Sequence, residues 1–154
     1  MATSRVPAAV DALLAILRAS AALSGVSVVD GPPTTNLSDM DHVFVGYQPS
    51  AEAAVQLVQD FNAAGARTRD EDFTIPCYAE SRSGDTDMQA RRARVFAMVA
   101  AVEESLRATD AAPTAPTLNG TVLWAHLTAG NLLQGQSAGA QAGVEFTITC
   151  RARI

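Results

Sequence analysis

The sequence has few residues of the types that mark a nucleic-acid-binding domain. Its 11 basic residues are outnumbered by 16 acidic ones, which gives a formal net charge of −5, and aromatic residues make up only 5% of the chain. A domain that grips DNA or RNA usually carries a basic surplus. The charge therefore argues against such a domain, whereas it is compatible with a protein that encircles DNA without gripping it.

Cysteine is also scarce. Cys77 and Cys150 are the only two, and they lie far apart in the sequence. Two cysteines make neither a disulfide framework nor a zinc site. Both fall in strand-like runs, so we expect buried free thiols in a protein of a reducing compartment.

Long hydrophobic runs are missing as well. The most apolar stretch, residues 8–23, is interrupted by Asp11 and Arg18, so it predicts neither a membrane-spanning helix nor a signal peptide. We accordingly expect no membrane partner. The length of 154 residues predicts a single domain covering residues 1–154.

Two segments have the period of amphipathic helices. Residues 6–24 place apolar side chains at three- and four-residue steps, with Thr3 or Ser4 as the cap. Residues 86–108 begin with a capping box formed by Thr86 and Gln89. The side chains expected to be buried in this second helix are Met88, Val95, Phe96, Val99, Val102 and Leu106.

Five segments predict β-strands by their composition and two-residue alternation: 26–30, 42–47, 72–81, 121–127 and 144–154. The last has the clearest alternation, with apolar residues at even positions and polar residues at odd ones. Pro76 lies in the middle of 72–81 and cannot donate a ladder hydrogen bond. We therefore expect that strand to lie at an edge of the sheet or to carry a bulge.

Two further segments are harder to assign. Residues 49–64 contain helix-favouring alanine, glutamate and glutamine, but Val55, Leu57 and Phe61 also fit a strand. A helix and a hairpin strand both stay open, with the hairpin favoured. Residues 129–143 are rich in glycine, glutamine and alanine, so we expect them to be mobile or ordered only by a neighbouring subunit.

The order of elements is α–β–β–(β or α)–β–α–β–β. It predicts an α+β fold: two layers, with a mostly antiparallel sheet and two main helices packed on one face. The other face of the sheet carries threonines and arginines, which indicates a wet face or an interface.

Patterns typical of catalysis or metal binding are weak. Residues 135–139 spell Gly-x-Ser-x-Gly, but a nucleophile elbow needs a strand before the serine and a helix after it. Asp39, Asp41 and His42 could be pictured as a metal cluster, although a solvated turn is favoured. We therefore expect no cofactor, no metal and no enzymatic activity, which favours an interaction protein by elimination.

The chain as a whole resembles the tail terminator, or tail completion, proteins of long-tailed phages and prophages, especially those of actinobacterial hosts. The resemblance covers nearly the whole chain and lies in the order of elements and in short blocks. Besides an amphipathic helix at the start and an amphipathic strand at 143–154, the blocks are LSGVSVVDGPP (23–33), VFVGY (43–47), RDEDFTIPC (69–77), GDTD (84–87) and VEESLR (102–107).

The resemblance implies a structural virion protein without catalytic residues. Such a protein assembles in the host cytoplasm as a ring, typically a hexamer, on the end of the finished tail tube. It stops polymerisation of the tube protein and offers a docking surface for the head–neck connector, while genome DNA passes through without specific binding. Another head–tail neck component, such as a head-closure or tube-like protein, and an unrelated soluble binding module or small enzyme stay open as alternatives.

The polar face of the last strand, the mixed-charge turn at 67–71 and the segment 129–143 are the expected subunit contacts. The side chains concerned are Arg67, Arg69, Glu71, Thr147, Thr149, Arg151 and Arg153.

Overall fold

Two α-helices pack against one face of a six-stranded sheet in the computed structural model, which describes residues 3–34, 40–65, 67–136 and 139–154. Neither helix in this part of the chain has both the length and the apolarity that a bilayer-spanning helix needs. In chain order the elements are α1 (Val6–Ala19), β1 (Ser27–Asp30), β2 (Asp41–Val45), β3 (Gln56–Phe61), β4 (Arg69–Arg82), α2 (Met88–Ser105), β5 (Trp124–Gln136) and β6 (Ala140–Arg153), with short 3₁₀ turns at Ala21–Leu23 and Ala115–Thr117.

The strands follow the order β1-β2-β4-β6-β5, and β3 also pairs with β4. Every pair is antiparallel except β1 with β2. The predicted α+β class, with a mostly antiparallel sheet and helices against it, is confirmed. Apolar side chains of β4 and β6 form the centre of the core, against the buried faces of both helices.

The first helix is shorter than predicted. Ala9, Leu13, Leu14 and Leu17 are its buried residues, and their three- and four-residue spacing matches one helical face. Ser20 is extended, with ψ of 122°, so the helix ends at Ala19 rather than at residue 24. A separate 3₁₀ turn then buries the next leucine of the stripe.

The second helix differs from its prediction in its cap and in one buried residue. Asp87 is the cap, and its side chain accepts a hydrogen bond from the backbone N–H of Ala90 at 3.0 Å, so the expected role of Thr86 is wrong. Phe96 was expected to be buried but is 46% exposed. It follows Val95 by one position, or about 100° around the helix, which turns it away from the sheet.

Strand β4 lies in the middle of the sheet and pairs with β6 in continuous register, so the edge position or bulge expected from Pro76 is wrong. On one side β4 pairs with β6 along its whole length, and on the other side β2 and β3 follow each other along the same edge. The β2 pairing ends at Cys77 and the β3 pairing begins at Thr74. Pro76 lies in this gap, where no ladder hydrogen bond is asked of its nitrogen.

The ambiguous segment contains a strand, as favoured. Residues 56–61 form β3, which pairs antiparallel with β4 in a hairpin. The two glutamines of β3 carry a weak helical preference, and pairing with a long central strand overrides it.

The expectation of a mobile segment at 129–143 is wrong for the residues described. Strand β5 continues to Gln136 and β6 begins at Ala140, so the two form one long hairpin with a bulge between Ala129 and Leu132. Residues 137 and 138 lie outside the described part of the chain. Cross-strand hydrogen bonding orders this glycine-rich stretch in spite of its composition.

The two cysteines are buried free thiols, as predicted. Burial raises the pKa of Cys77 to about 12, although a hydrogen bond from the Gly46 backbone opposes the rise. Burial likewise raises the pKa of Cys150 to about 12. Both therefore behave as small apolar core residues at neutral pH.

Candidate assembly surface

The helix-free face of the sheet carries the predicted polar residues of the last strand. In β6 the even-numbered side chains from Val144 to Ala152 enter the core. Successive side chains of a strand point to opposite faces, so Thr147, Thr149, Arg151 and Arg153 lie on the other side of the sheet. Their placement follows directly from the alternation in the sequence.

A charged cluster occupies one end of this face. Arg153 donates through Nε to Asp70 Oδ1 at 2.8 Å, and Arg151 lies 3.4 Å from Asp72 and 3.8 Å from Asp70. The hydrogen bond from Arg153 holds the pKa of Asp70 below its ordinary value, and the same bond raises the pKa of Arg153. The arginine side chains are still 44% and 53% exposed, so each can contact a second protein from its open side.

The middle of the same face is covered by the segment that joins β2 to β3, residues 46–55. Gln48 Nε2 donates to the carbonyl of Phe146 at 2.7 Å and to Thr147 Oγ1 at 3.3 Å. The backbone N–H and the hydroxyl of Ser50 both donate to Glu145 Oε2. A recess of 520 Å³ opens beside this segment and reaches Thr147.

Glu145 is the anchor of that segment. Its carboxylate also accepts a hydrogen bond from Asn131 Nδ2 at 3.2 Å, at the bulge of β5. Burial alone would raise the pKa of Glu145, but the hydrogen bonds from Ser50 and Asn131 outweigh it and hold the pKa below 4.5. A charged Glu145 thus joins the 46–55 segment to the β5–β6 hairpin.

An aromatic cluster covers the remaining part of the helix-free face. His42, Phe44, Tyr47 and Tyr78 contact one another with ring centroids 5.5 to 6.4 Å apart. His42 is fully buried there, whereas Asp41 lies on the helix side and pairs with Arg94 at 2.9 Å. The two therefore diverge rather than converge on a metal, and Asp39 lies outside the described residues.

The predicted turn at 67–71 divides between surface and core. Arg67 is exposed, and Arg69 is half-buried and donates to Gln59 Oε1 at 3.1 Å. Glu71, in contrast, is fully buried. It was expected to contact a neighbouring subunit from the mixed-charge turn. In the fold its carboxylate instead accepts hydrogen bonds within the subunit, from Arg5 and Gln59.

Exposed apolar side chains mark a surface that the sequence reasoning missed. Among the described residues, eight large hydrophobic side chains are exposed, and six of them lie on or next to β3 and β5. These six are Leu57, Val58, Phe61, Leu123, Leu132 and Leu133. The alternation of β3 was visible in the sequence. Its six residues contain no proline and only one charged residue, which does not mark an edge strand, so the exposure of both its faces was not expected.

No protein-family model and no curated protein matches the chain. Across residues 3–34, 40–65, 67–136 and 139–154, no three histidine, cysteine, aspartate or glutamate side chains are grouped as a metal site would need. Of the Gly-x-Ser-x-Gly letters, Gly135 lies in β5, whereas Ser137 lies outside the described residues. A strand begins at Ala140, where a nucleophile elbow would need a helix. What the described surface offers is contact area: apolar side chains at two edges and a charged cluster between them.

Proposed function

We propose that the protein is a structural virion component that caps the completed phage tail tube as a ring. In this role it stops polymerisation of the tube protein and provides the docking surface for the head–neck connector. The observation that carries the proposal is the concentration of exposed apolar side chains on the edge strands β3 and β5. Exposed apolar edges support association with other polypeptides in general. The resemblance of the sequence blocks to tail terminators supports this particular role.

Open edge strands favour association with another polypeptide. An edge presents a row of unpaired N–H and C=O groups, and monomeric proteins protect it with charge, proline or short length. The β3 edge lacks this protection at two positions, because Phe61 is 70% exposed and Val58 is 63% exposed. Both side chains offer apolar area to a partner. Two different edges on one subunit suit a head-to-tail contact, which closes into a ring when the rotation between subunits allows.

The charge of the chain supports the same role. A net charge of −5 disfavours tight binding of the DNA backbone. A ring through which the genome passes needs this property, because DNA must move through it without being held. The role requires no cofactor and no membrane contact.

The first experiment measures the mass of the protein by light scattering across a concentration series. The protein is then added to growing tail-tube polymers, and the growth of the tubes is measured. A hexameric mass, or arrest of tube growth by substoichiometric protein, is the expected result. A protein that stays monomeric and leaves tube growth unchanged would overturn the proposal. Binding to the connector without any effect on tube growth would instead identify another neck component.

A control for the role of the edge strands uses Phe96, the exposed large hydrophobic residue of α2. Phe96→Lys changes an exposed aromatic residue that belongs to neither edge strand. This variant should retain the mass and the tube-capping effect of the wild type.

A further inference from the structure

We infer that the free edge of β5 in one subunit pairs with the free edge of β3 in a second copy of this chain, so that the sheet continues from subunit to subunit. The inference rests on the proposed function in that it names the contact through which the proposed ring closes. It requires three properties of the two edges: that they carry little charge and no proline, that their directions match, and that their side chains lie on matching faces.

The β5 edge has a bulge between Ala129 and Leu132, but it lacks the charge and the proline that usually protect an edge. Residues 124–136 contain no proline and no aspartate, glutamate, lysine or arginine over 13 residues. All 11 basic residues of the chain are arginines, so lysine, the residue most used to guard edges, is absent. A long uncharged edge of this kind is a template for strand addition.

The β3 edge is its counterpart on the opposite side of the sheet. Its six residues contain a single charge, Asp60, and three exposed apolar side chains, Leu57, Val58 and Phe61. In the described part of the chain β3 pairs only with β4. One subunit therefore carries two different open edges, which is what a head-to-tail contact needs.

The strand directions allow an antiparallel junction. β3 and β6 both run antiparallel to β4, and β5 runs antiparallel to β6, so β3 and β5 run in opposite directions. A rotation about a ring axis that lies along the strands preserves these directions. It places β3 of the next subunit antiparallel to β5, in the geometry of a regular ladder.

The register shows which backbone groups of β3 are free. The carbonyl of Pro76 accepts hydrogen bonds from backbone N–H groups just after β2. The backbone groups of every second residue of β4 therefore point to the side where β2 and β3 lie. These β4 residues pair with Val58 and with the β3 residues two positions before and after it. The N–H and C=O groups of Leu57, Gln59 and Phe61 consequently point to the open edge.

The same alternation applies at β5. The backbone carbonyl of Pro76 points away from β6, so Pro76 and its partner Thr147 in β6 form a non-hydrogen-bonded pair. The backbone groups of Thr147 consequently point to the other side, toward Thr128 of β5. The free groups of β5 before the bulge are therefore those of Ala125, Leu127 and Ala129. Three alternate residues on each edge are available to bond.

The side chains also match by face. Val58 lies opposite Asp72, on the helix-free side, as do Trp124 and His126 of β5. Leu57 lies opposite Phe73 on the helix side. Antiparallel pairing across the junction would thus place Val58 of β3 on the same face as Trp124 of β5, and cross-strand neighbours of this kind stabilise a ladder.

A two-fold pairing of β5 with β5 is the competing arrangement. It would close as a dimer and leave the three apolar residues of β3 in water. The head-to-tail arrangement covers the three exposed apolar residues of β3 as well as the β5 edge before the bulge, which is why we favour it.

Disulfide trapping tests the junction directly. Val58 and the β5 residues on its face occupy non-hydrogen-bonded positions at the junction, where opposed Cα atoms lie about 4.5 Å apart and a disulfide forms easily. Val58→Cys is combined in turn with Trp124→Cys, His126→Cys and Thr128→Cys, which samples three registers. Oxidation of at least one double variant, free or on tail-tube ends, should give a ladder of covalent multimers.

The single cysteine variants are the matched controls. They should stay monomeric on denaturing gels, because Cys77 and Cys150 are buried and each single variant lacks its partner. Covalent dimers of a single β5 variant would establish the two-fold pairing and overturn the inference. Absence of multimers in all three double variants, with wild-type protein that forms rings, would also overturn it while leaving the proposed function standing.

Charge at the edge gives a second, independent readout. Val58→Lys should raise the dissociation constant for self-association, or the concentration that caps tubes, by about tenfold or more, with unchanged circular dichroism. Phe96→Lys should leave both as in the wild type. Equal behaviour of the two variants would contradict the edge contact, and failure of the wild type to associate or to cap would contradict the proposed function as well.

Discussion

The carboxylate of Glu71 accepts a hydrogen bond from the backbone N–H of Arg5 at 2.8 Å, across 66 positions of sequence. Arg5 is the N-cap residue, directly before the first residue of α1. The central strand of the sheet therefore holds the start of the first helix, where a negative charge also complements the helix dipole.

Removal of this carboxylate should destabilise the fold. Glu71→Ala leaves the Arg5 N–H without its acceptor. It also removes one of two acceptors of the Gln59 amide, which keeps its hydrogen bond to the Thr3 carbonyl. We expect a loss of about 2 kcal/mol in the free energy of unfolding. Urea denaturation measures it. Glu52→Ala, at an exposed position of the 46–55 segment, is the control and should change little; an equal loss in both variants would contradict the proposed role of Glu71.

Glu145 should make stability depend on pH on the acid side. Its pKa in the folded protein lies below the ordinary 4.5, so its hydrogen bonds contribute fully above about pH 4.5 and are lost as the pH falls through the folded pKa. Glu145→Gln should flatten the fall in unfolding free energy between neutral pH and pH 3. Glu52→Gln should keep the wild-type slope, and a Glu145→Gln slope as steep as that of the wild type would show that this carboxylate contributes none of it.

Charge reversal at Arg151 and Arg153 should weaken assembly and leave the fold intact, because both side chains are about half exposed at the charged end of the helix-free face. Light scattering of Arg151→Glu/Arg153→Glu measures the mass, and circular dichroism checks the fold. Unchanged assembly would show that this surface is not a subunit contact.

A charge swap separates the two possible roles of Arg153. Asp70→Arg combined with Arg153→Asp restores the pair within the subunit but reverses the charge offered to a neighbour. Assembly should stay weakened in this double variant. Full recovery would mean that the pair acts only within the subunit.

Gly143 should resist substitution because of one aromatic ring. A Cβ atom at this position would collide with the ring and hydroxyl of Tyr78 in the neighbouring strand. Gly143→Ala should lower the free energy of unfolding by about 1–3 kcal/mol, the usual cost of overpacking, as measured by urea denaturation. Gly135→Ala lies in the same hairpin with open space around it, and a loss of similar size there would contradict a steric cause.

Local pattern was enough for most of the secondary structure. The alternation of residues 144–154 predicted which side chains of β6 enter the core, because a strand turns successive side chains to opposite faces whatever its partners are. The three- and four-residue spacing in α1 predicted its buried leucines for the same kind of reason. The α+β class followed from the order of these elements.

Tertiary contacts decided the rest. Pro76 lies at the centre of the sheet because β2 and β3 leave a gap beside it, and Glu71 is buried because α1 begins above it. The glycine-rich residues of β5 are ordered by pairing with β6, and the openness of β3 depends on where its hairpin lies in the sheet. Periodicity along the chain shows on which face of its helix or strand a side chain lies. Whether that face is buried, and whether a strand lies at an edge, depends on elements that are distant in sequence. Only the folded chain brings these elements together.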